Sequence, residues 1–281
     1  PPTISATGTG VCSGAPSIIS ASGATNYNWD NSLGTGTSHS VSPTSTTVYN
    51  VTGTDVNGCS GTASVSVAVS PNPTITVTGD EICMGDEGSL TASGATTYLW
   101  SDALGTGATV SASPTSTTTY NVTGTDGNGC TGTSIGTIEV NNLPTVTLST
   151  DDELICLGQE SALLTASGAQ SYSWSNSLPS ASTNTVNPTT ITTYTVTGTD
   201  SNGCTGTASV QVDVKQAPDI NLTASPQEIC EGSSSTLTAS GADSFTWSIT
   251  GTGTEQEVSP TATTTYNLTG TDTEGCTSTT S

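Results

Sequence analysis

The residues in this sequence whose types and spacing suggest chemistry are its eight cysteines and a recurring acidic turn. Cys12, Cys83, Cys156 and Cys230 each open a segment that closes with Asp-x-Asn-Gly-Cys or a near copy, ending at Cys59, Cys130, Cys204 and Cys276. Disulfides persist only outside a reducing cytosol, so the cysteines imply an exported protein. Eight cysteines allow 105 pairings. Pairing within each copy, Cys12–Cys59, Cys83–Cys130, Cys156–Cys204 and Cys230–Cys276, is expected because it would let every copy fold alike. A loop of this length would contribute about 4 kcal/mol in the chain-entropy model.

The turns carry Asp55 and Asn57, Asp126 and Asn128, Asp200 and Asn202, and, in the fourth copy, Asp272 and Glu274. Alternating oxygen side chains open calcium loops. The same residues also make a tight hairpin, Asp bonding its own backbone and Gly taking positive φ, and this turn reading is the stronger one. A bridge inside each copy would carry Asp126 and Asn128 toward Asp80 and Glu81, and Asp200 and Asn202 toward Asp151 and Asp152. These residues are therefore the candidate ligands for Ca2+, and no other cofactor is expected. Copy one has no such acids, which counts against an ion serving the whole array.

Catalysis has little to stand on. His39 is the single histidine, occurs in one copy of four, and is expected at an exposed strand position. A Ser/His/Asp arrangement would need it, and paired carboxylates such as Asp151 and Asp152 lack the cleft that a glycosidase requires. The chain is read as a non-enzyme. The sequons at Asn50, Asn121, Asn221 and Asn267 match the N-glycosylation pattern but follow from strand alternation alone.

The elements that must position these residues recur with them. Each copy holds a Trp 17 or 18 residues after its first Cys, then a Pro-Thr turn, then a Tyr six residues past that Pro. These are Trp29, Trp100, Trp174 and Trp247, and Tyr49, Tyr120, Tyr194 and Tyr266. A residue present in every copy at one place is needed to complete every core, so these eight are core candidates, the Trp beside the disulfide. Successive first cysteines lie 71, 73 and 74 residues apart, too long for a solenoid repeat and right for a small domain. Ser, Thr, Val and Gly dominate without helical periodicity, while Tyr120-Asn-Val-Thr123 alternates as a half-buried strand. The predicted fold is all-β, a tandem array of four small immunoglobulin-like antiparallel sandwiches with one disulfide each. The predicted domains are 1–71, 72–143, 144–217 and 218–281, joined by short proline linkers. Copy four stops where earlier copies continue into strands such as Ala63–Val69, so we read it as lacking its last strand and the chain as part of a longer one.

The segment Tyr120-Asn-Val-Thr-Gly-Thr-Asp-Gly-Asn-Gly-Cys130 and its copies at Tyr49, Tyr194 and Tyr266 resemble the strand and turn of immunoglobulin-like and PKD-like repeats. Such repeats fill very large Bacteroidota cell-surface proteins exported by type IX secretion. The resemblance implies an extracellular adhesin or appendage stalk. Copy four departs from it with Asp272-Thr-Glu-Gly-Cys276.

Charge narrows the partners. Twenty-three acids face a single base, Lys215, for a net charge of −22. Nucleic acid and anionic membranes are poor partners for such a chain, because counterion release needs Lys and Arg. No apolar run reaches the roughly 18 residues of a membrane span, and no membrane insertion is expected in this segment. The expected function is a stalk or filament shaft giving reach and mechanical strength, with other copies of itself or neighbouring repeats as partners. The alternative is adhesive modules that bind a glycan or a target-cell surface through end loops. The segments Asp30–His39, Ser101–Val110, Ser175–Asn184 and Ser248–Glu257 are the least alike between copies and are where such contacts are expected.

Overall fold

A computed structural model describes residues 1–281, and the chain is all-β apart from one 3-10 turn at Ser175–Ser177. It divides into two compact units, Pro1–Asn142 and Leu143–Ser281, each containing two copies of the repeat.

Copy two shows the plan. Strands Thr76–Gly79, Gly88–Ser93 and Thr109–Ala112 form one antiparallel sheet. The facing sheet runs Glu81–Cys83, Thr131–Asn141, Thr118–Thr125 and Thr97–Trp100. All pairs in it are antiparallel except the first, where Glu81–Cys83 runs parallel to Glu139–Asn141. Copy three repeats this order from Thr147–Thr150 to Thr205–Lys215. Two sheets of three and four strands packed face to face are an immunoglobulin-like sandwich.

Alternation builds the core. In Thr118–Thr125 the side chains of Tyr120 and Val122 are buried while Asn121 faces out, the period-2 pattern of a strand with one wet face. Each repeat has its own apolar cluster. Trp29, Tyr49, Val51 and Val67 belong to the first, Trp100, Tyr120, Leu90 and Ile138 to the second. Leu164, Tyr194 and Val212 centre the third, with Trp174 half-buried against them, and Trp247, Leu237 and Leu268 the fourth, with Tyr266 half-buried against them.

Two small devices hold the Trp hairpin. Tyr98 Oη donates to Ala95 O and accepts from Ala95 N, both at 3.0 Å, with matching pairs at Tyr27 and Tyr172. Copy four carries Phe245 there and has no such clamp. The preceding glycine is obligatory: Gly94 sits at φ +104°, and a Cβ would collide with the Thr74 carbonyl.

The predicted position of the Trp beside a disulfide is not what the fold gives. Trp100, on the edge strand, lies opposite Val122 and donates through Nε1 to Gly107 O at 2.9 Å, while Cys130 lies outside the apolar cluster, past the end of Thr118–Thr125. His39 is half-buried, not exposed, and packs edge-on against Trp29 with ring centroids 6.3 Å apart.

Candidate functional site

The first cysteine of copies one, two and three stands at the exit of its sandwich. Cys12 lies opposite Ser70, Cys83 opposite Asn141 and Cys156 opposite Lys215, each at the C-terminal end of the last strand. The second cysteine stands at the start of that same strand: Cys130 precedes Thr131–Asn141, which has 11 residues. At about 3.3 Å per residue the two cysteines of one copy are therefore some 35 Å apart, whereas a disulfide needs Cα atoms within about 7 Å.

The expected pairing is accordingly corrected. Cys12 bonds Cys130 and Cys156 bonds Cys276, with Cα–Cα distances of 5.5 and 5.4 Å. Each bridge joins the exit of one copy to the hairpin turn of the next. Cys83 and Cys204 are also disulfide-bonded, and since Cys130 and Cys156 are taken, neither pairs within its own copy. Cys59 and Cys230 are free and exposed, so one bridge per copy does not hold.

The turn delivering the second cysteine is built by its aspartate. Asp126 Oδ1 accepts from Asn128 N at 2.8 Å and from Cys130 N at 2.9 Å, while Asp126 N donates to Cys130 O and Gly129 N to Asp126 O. Asp55, Asp200 and Asp272 repeat this arrangement. Gly129 takes φ +81° and its equivalents +80°, +84° and +93°. The second residue of the motif contributes only its backbone N–H, which is why Glu274 replaces Asn without loss of the turn.

The candidate calcium ligands are not gathered. No group of three or more His, Cys, Asp and Glu side chains is placed to hold a metal. The bridge carries Asp126 and Asn128 to the opening Cys of copy one, away from the acids of their own copy. Asp80 is bound by Ser89, whose Oγ and N donate to its Oδ2 at 2.7 and 2.9 Å and hold its carboxyl below the usual range. Glu81 accepts from Asn141 Nδ2, Asp151 accepts from Leu163 N, and Asp152 is tied to Thr150. Asp200 and Asn202 form a turn equivalent to that of Asp126 and Asn128.

At the second junction, side chains reinforce the bridge. Gln159, three residues past Cys156, donates through Nε2 to Thr277 O at 2.5 Å and accepts through Oε1 from Thr277 N at 3.2 Å and Thr277 Oγ1 at 2.9 Å. Lys215, at the end of the last strand of copy three, hydrogen-bonds Glu274 and lies 3.6 Å from Asp272 Oδ2. The bond to Glu274 raises the Lys215 pKa above its ordinary 10.5, and Lys215 in turn lowers that of Glu274 below 4.5. The lone base of the chain and the departure in the fourth turn thus belong together. Spacing gave no sign of this, but their joint occurrence was a signal. Cys156 and Cys276 are both buried, whereas in the first bridge Cys130 is buried and Cys12 half-buried.

Three of the four loops singled out as variable share a backbone, and Ser248–Glu257 does not. Asn31 and Ser32, Asp102 and Ala103, and Asn176 and Ser177 all have φ between +53° and +63°. Each loop is pinned to the neighbouring strand, as by Ser101 Oγ accepting from Asn121 N at 3.0 Å, and plugs a leucine, Leu33, Leu104 or Leu178, into the core.

No family model matches the chain, and no curated protein matches it. Among solved structures it is similar to a Ca2+-stabilized adhesin that helps an Antarctic bacterium reach out and bind ice, at 16% identity over 99% of this chain and 97% of that one, with a TM-score of 0.32. It is similar to the N-terminal eight Ig domains of Down syndrome cell adhesion molecule at 13% identity, covering 99% and 54% of the two chains, with a TM-score of 0.34. Titin domains I67–I69 are similar at 12% identity over 76% and 99%, with a TM-score of 0.36. Scores of this size say nothing about what the chain binds.

Proposed function

We propose that this chain is an extracellular structural region, the stalk or filament shaft of a large bacterial surface adhesin or appendage. It is organised as four domains, 1–71, 72–143, 144–217 and 218–281. The observation that carries the reading is the disulfide that joins one copy to the next. A bridge inside a module protects that module's fold, whereas a bridge between modules resists tension applied along the chain. Pulled at its ends, the chain transmits force from Cys12 to Cys130 through the bond. The acidic, lysine-poor surface suits an outer, solvent-facing role and discourages nucleic acid as a partner. Neighbouring repeats are the partners this reading needs, and it needs neither catalysis nor a cofactor. Export by type IX secretion in a member of the Bacteroidota is the route that the Tyr-x-Val-Thr-x-Thr-Asp-x-Asn-Gly-Cys pattern suggests.

Single-molecule stretching tests it. With Cys12 and Cys130 separated by 118 positions in sequence, this intact bridge withholds about 400 Å of extended chain at 3.3–3.6 Å per residue. The oxidised protein should bear load without releasing that length, and adding a reductant should liberate it. Equal contour lengths before and after reduction would reject a mechanical role for the bridges.

A further inference from the structure

Exits and turns that are nearly alike from copy to copy pose a matching problem. Cys156 bonds Cys276, 120 positions away, although Cys204 lies 48 positions away and Cys130 only 26. Closing the longer loop is disfavoured about fourfold against the first competitor and about tenfold against the second, since closure falls off as the 3/2 power of length. Folding removes Cys204, because the strand Thr205–Lys215 holds the two cysteines of copy three at its opposite ends. It does not choose among the turns of other copies, whose backbones are the same. Asp55, Asp126 and Asp272 each accept from the N–H two residues on and from the cysteine N–H. Selection must come from side chains.

At the second junction two side chains divide that work. Gln159 bonds the N–H, carbonyl and hydroxyl of Thr277, and a Thr follows Cys130 and Cys204 as well, so these bonds hold a turn without telling it from the others. Lys215 meets the position at which the turns differ. Its Nζ hydrogen-bonds Glu274 and lies 3.6 Å from Asp272 Oδ2, so the fourth turn offers it two carboxylates. The other three turns carry one each, with Asn57, Asn128 and Asn202 in the place of Glu274. The first junction is neutral on both sides: Ser70 stands opposite Cys12 as Lys215 does opposite Cys156, Ala15 matches Gln159, and the turn that bonds there carries Asn128.

We propose that Lys215 and Glu274 are specificity-determining residues of the junction, making the turn of copy four the preferred partner of the exit of copy three and so directing Cys156 to Cys276 before the sulfurs join. An exposed ion pair favours its own pairing by about two- to fivefold. That is the size of the loop-length handicap it must offset. Selection of this kind does not depend on the chain bearing load.

Oxidative refolding of the reduced full chain in a glutathione buffer tests it. The Cys156 thiolate takes one half of a glutathione disulfide and the Cys276 thiolate displaces the other, so each bridge formed reduces one glutathione disulfide to two glutathiones. Digestion without reduction, by a protease that cuts at acidic residues, then reads the partner of Cys156. Lys215→Ser and Glu274→Asn should each raise the share of Cys156 found with other cysteines by about two- to fivefold, and about 1 M salt should do the same to the parent. Lys215→Glu combined with Glu274→Lys should restore the parental share. Gln159→Ala should leave more Cys156 unpaired without changing the proportions among its partners. Cys12–Cys130, which none of these residues touches, should form equally throughout. Parental pairing in Lys215→Ser would overturn the assignment, as would a charge-reversed pair that fails to restore it or an equal loss of Cys12–Cys130.

Discussion

Asp126 spends one carboxylate oxygen on two backbone N–H groups of its own turn, and that division of labour separates two residues that the motif presents as a pair. Asn128 offers only its backbone, so Asn128→Ala should change stability by less than about 0.5 kcal/mol, as at an uninvolved surface position. Asp126→Ala removes a charged acceptor and should cost about 1.5–3 kcal/mol, visible in the urea midpoint of the first unit. Calcium should leave the midpoints of both variants and of the parent unmoved, since no three of the acidic side chains come together to hold it. The Trp positions obey a different rule. Trp100 is 3% exposed within the second cluster, and Trp100→Ala opens a core cavity worth about 3–5 kcal/mol, a large loss for so small a sandwich.

At the scale of the element, alternation in segments such as Tyr120–Thr123 was enough to predict strands, and the recurring Trp and Tyr were enough to predict where each core lies. The disulfide partners were not legible, because pairing depends on which end of a strand each cysteine meets. The decisive feature is the short parallel pairing of Glu81–Cys83 with the end of Thr131–Asn141, which puts the first cysteine at the exit of the sandwich. A three-residue strand leaves no periodic trace. The junctions also carry the clearest pH dependence. The folded pKa of Glu274 is depressed, so its contribution is complete above 4.5 and is lost as pH falls through the folded value. That of Lys215 is raised, so its contribution is complete below 10.5 and is lost as pH rises through the folded value. The pair therefore strengthens the second junction between these limits. Lys215→Met should remove the Glu274 part of the acid limb of the second unit's melting curve, leaving that of the first, where Asp80 is depressed by Ser89, unchanged. Melting temperatures between pH 3 and pH 7 would check both.

Across the whole molecule, the bridges change what unfolding can mean. Modules that close their own disulfides are independent, whereas a bridge from one exit to the next hairpin couples the stability of two cores. In the chain-entropy model a closed loop of 100 residues or more is worth close to 5 kcal/mol, and that sum is shared by both copies the loop encloses. Removing one sulfur distinguishes the two arrangements. In Cys130→Ser, Cys12 loses its partner, and the nearest alternative in sequence, Cys59, lies at the far end of a strand some 35 Å away. The thiol of Cys12 should therefore stay free, giving three titratable thiols where the parent has Cys59 and Cys230, and the first unit should melt at lower temperature as two separate transitions. Thiol titration under denaturing conditions with peptide mapping by a protease that cuts at acidic residues would read the outcome. Recovery of a Cys12–Cys59 peptide would mean that a sandwich can bring its own two cysteines together, which the strand between them forbids.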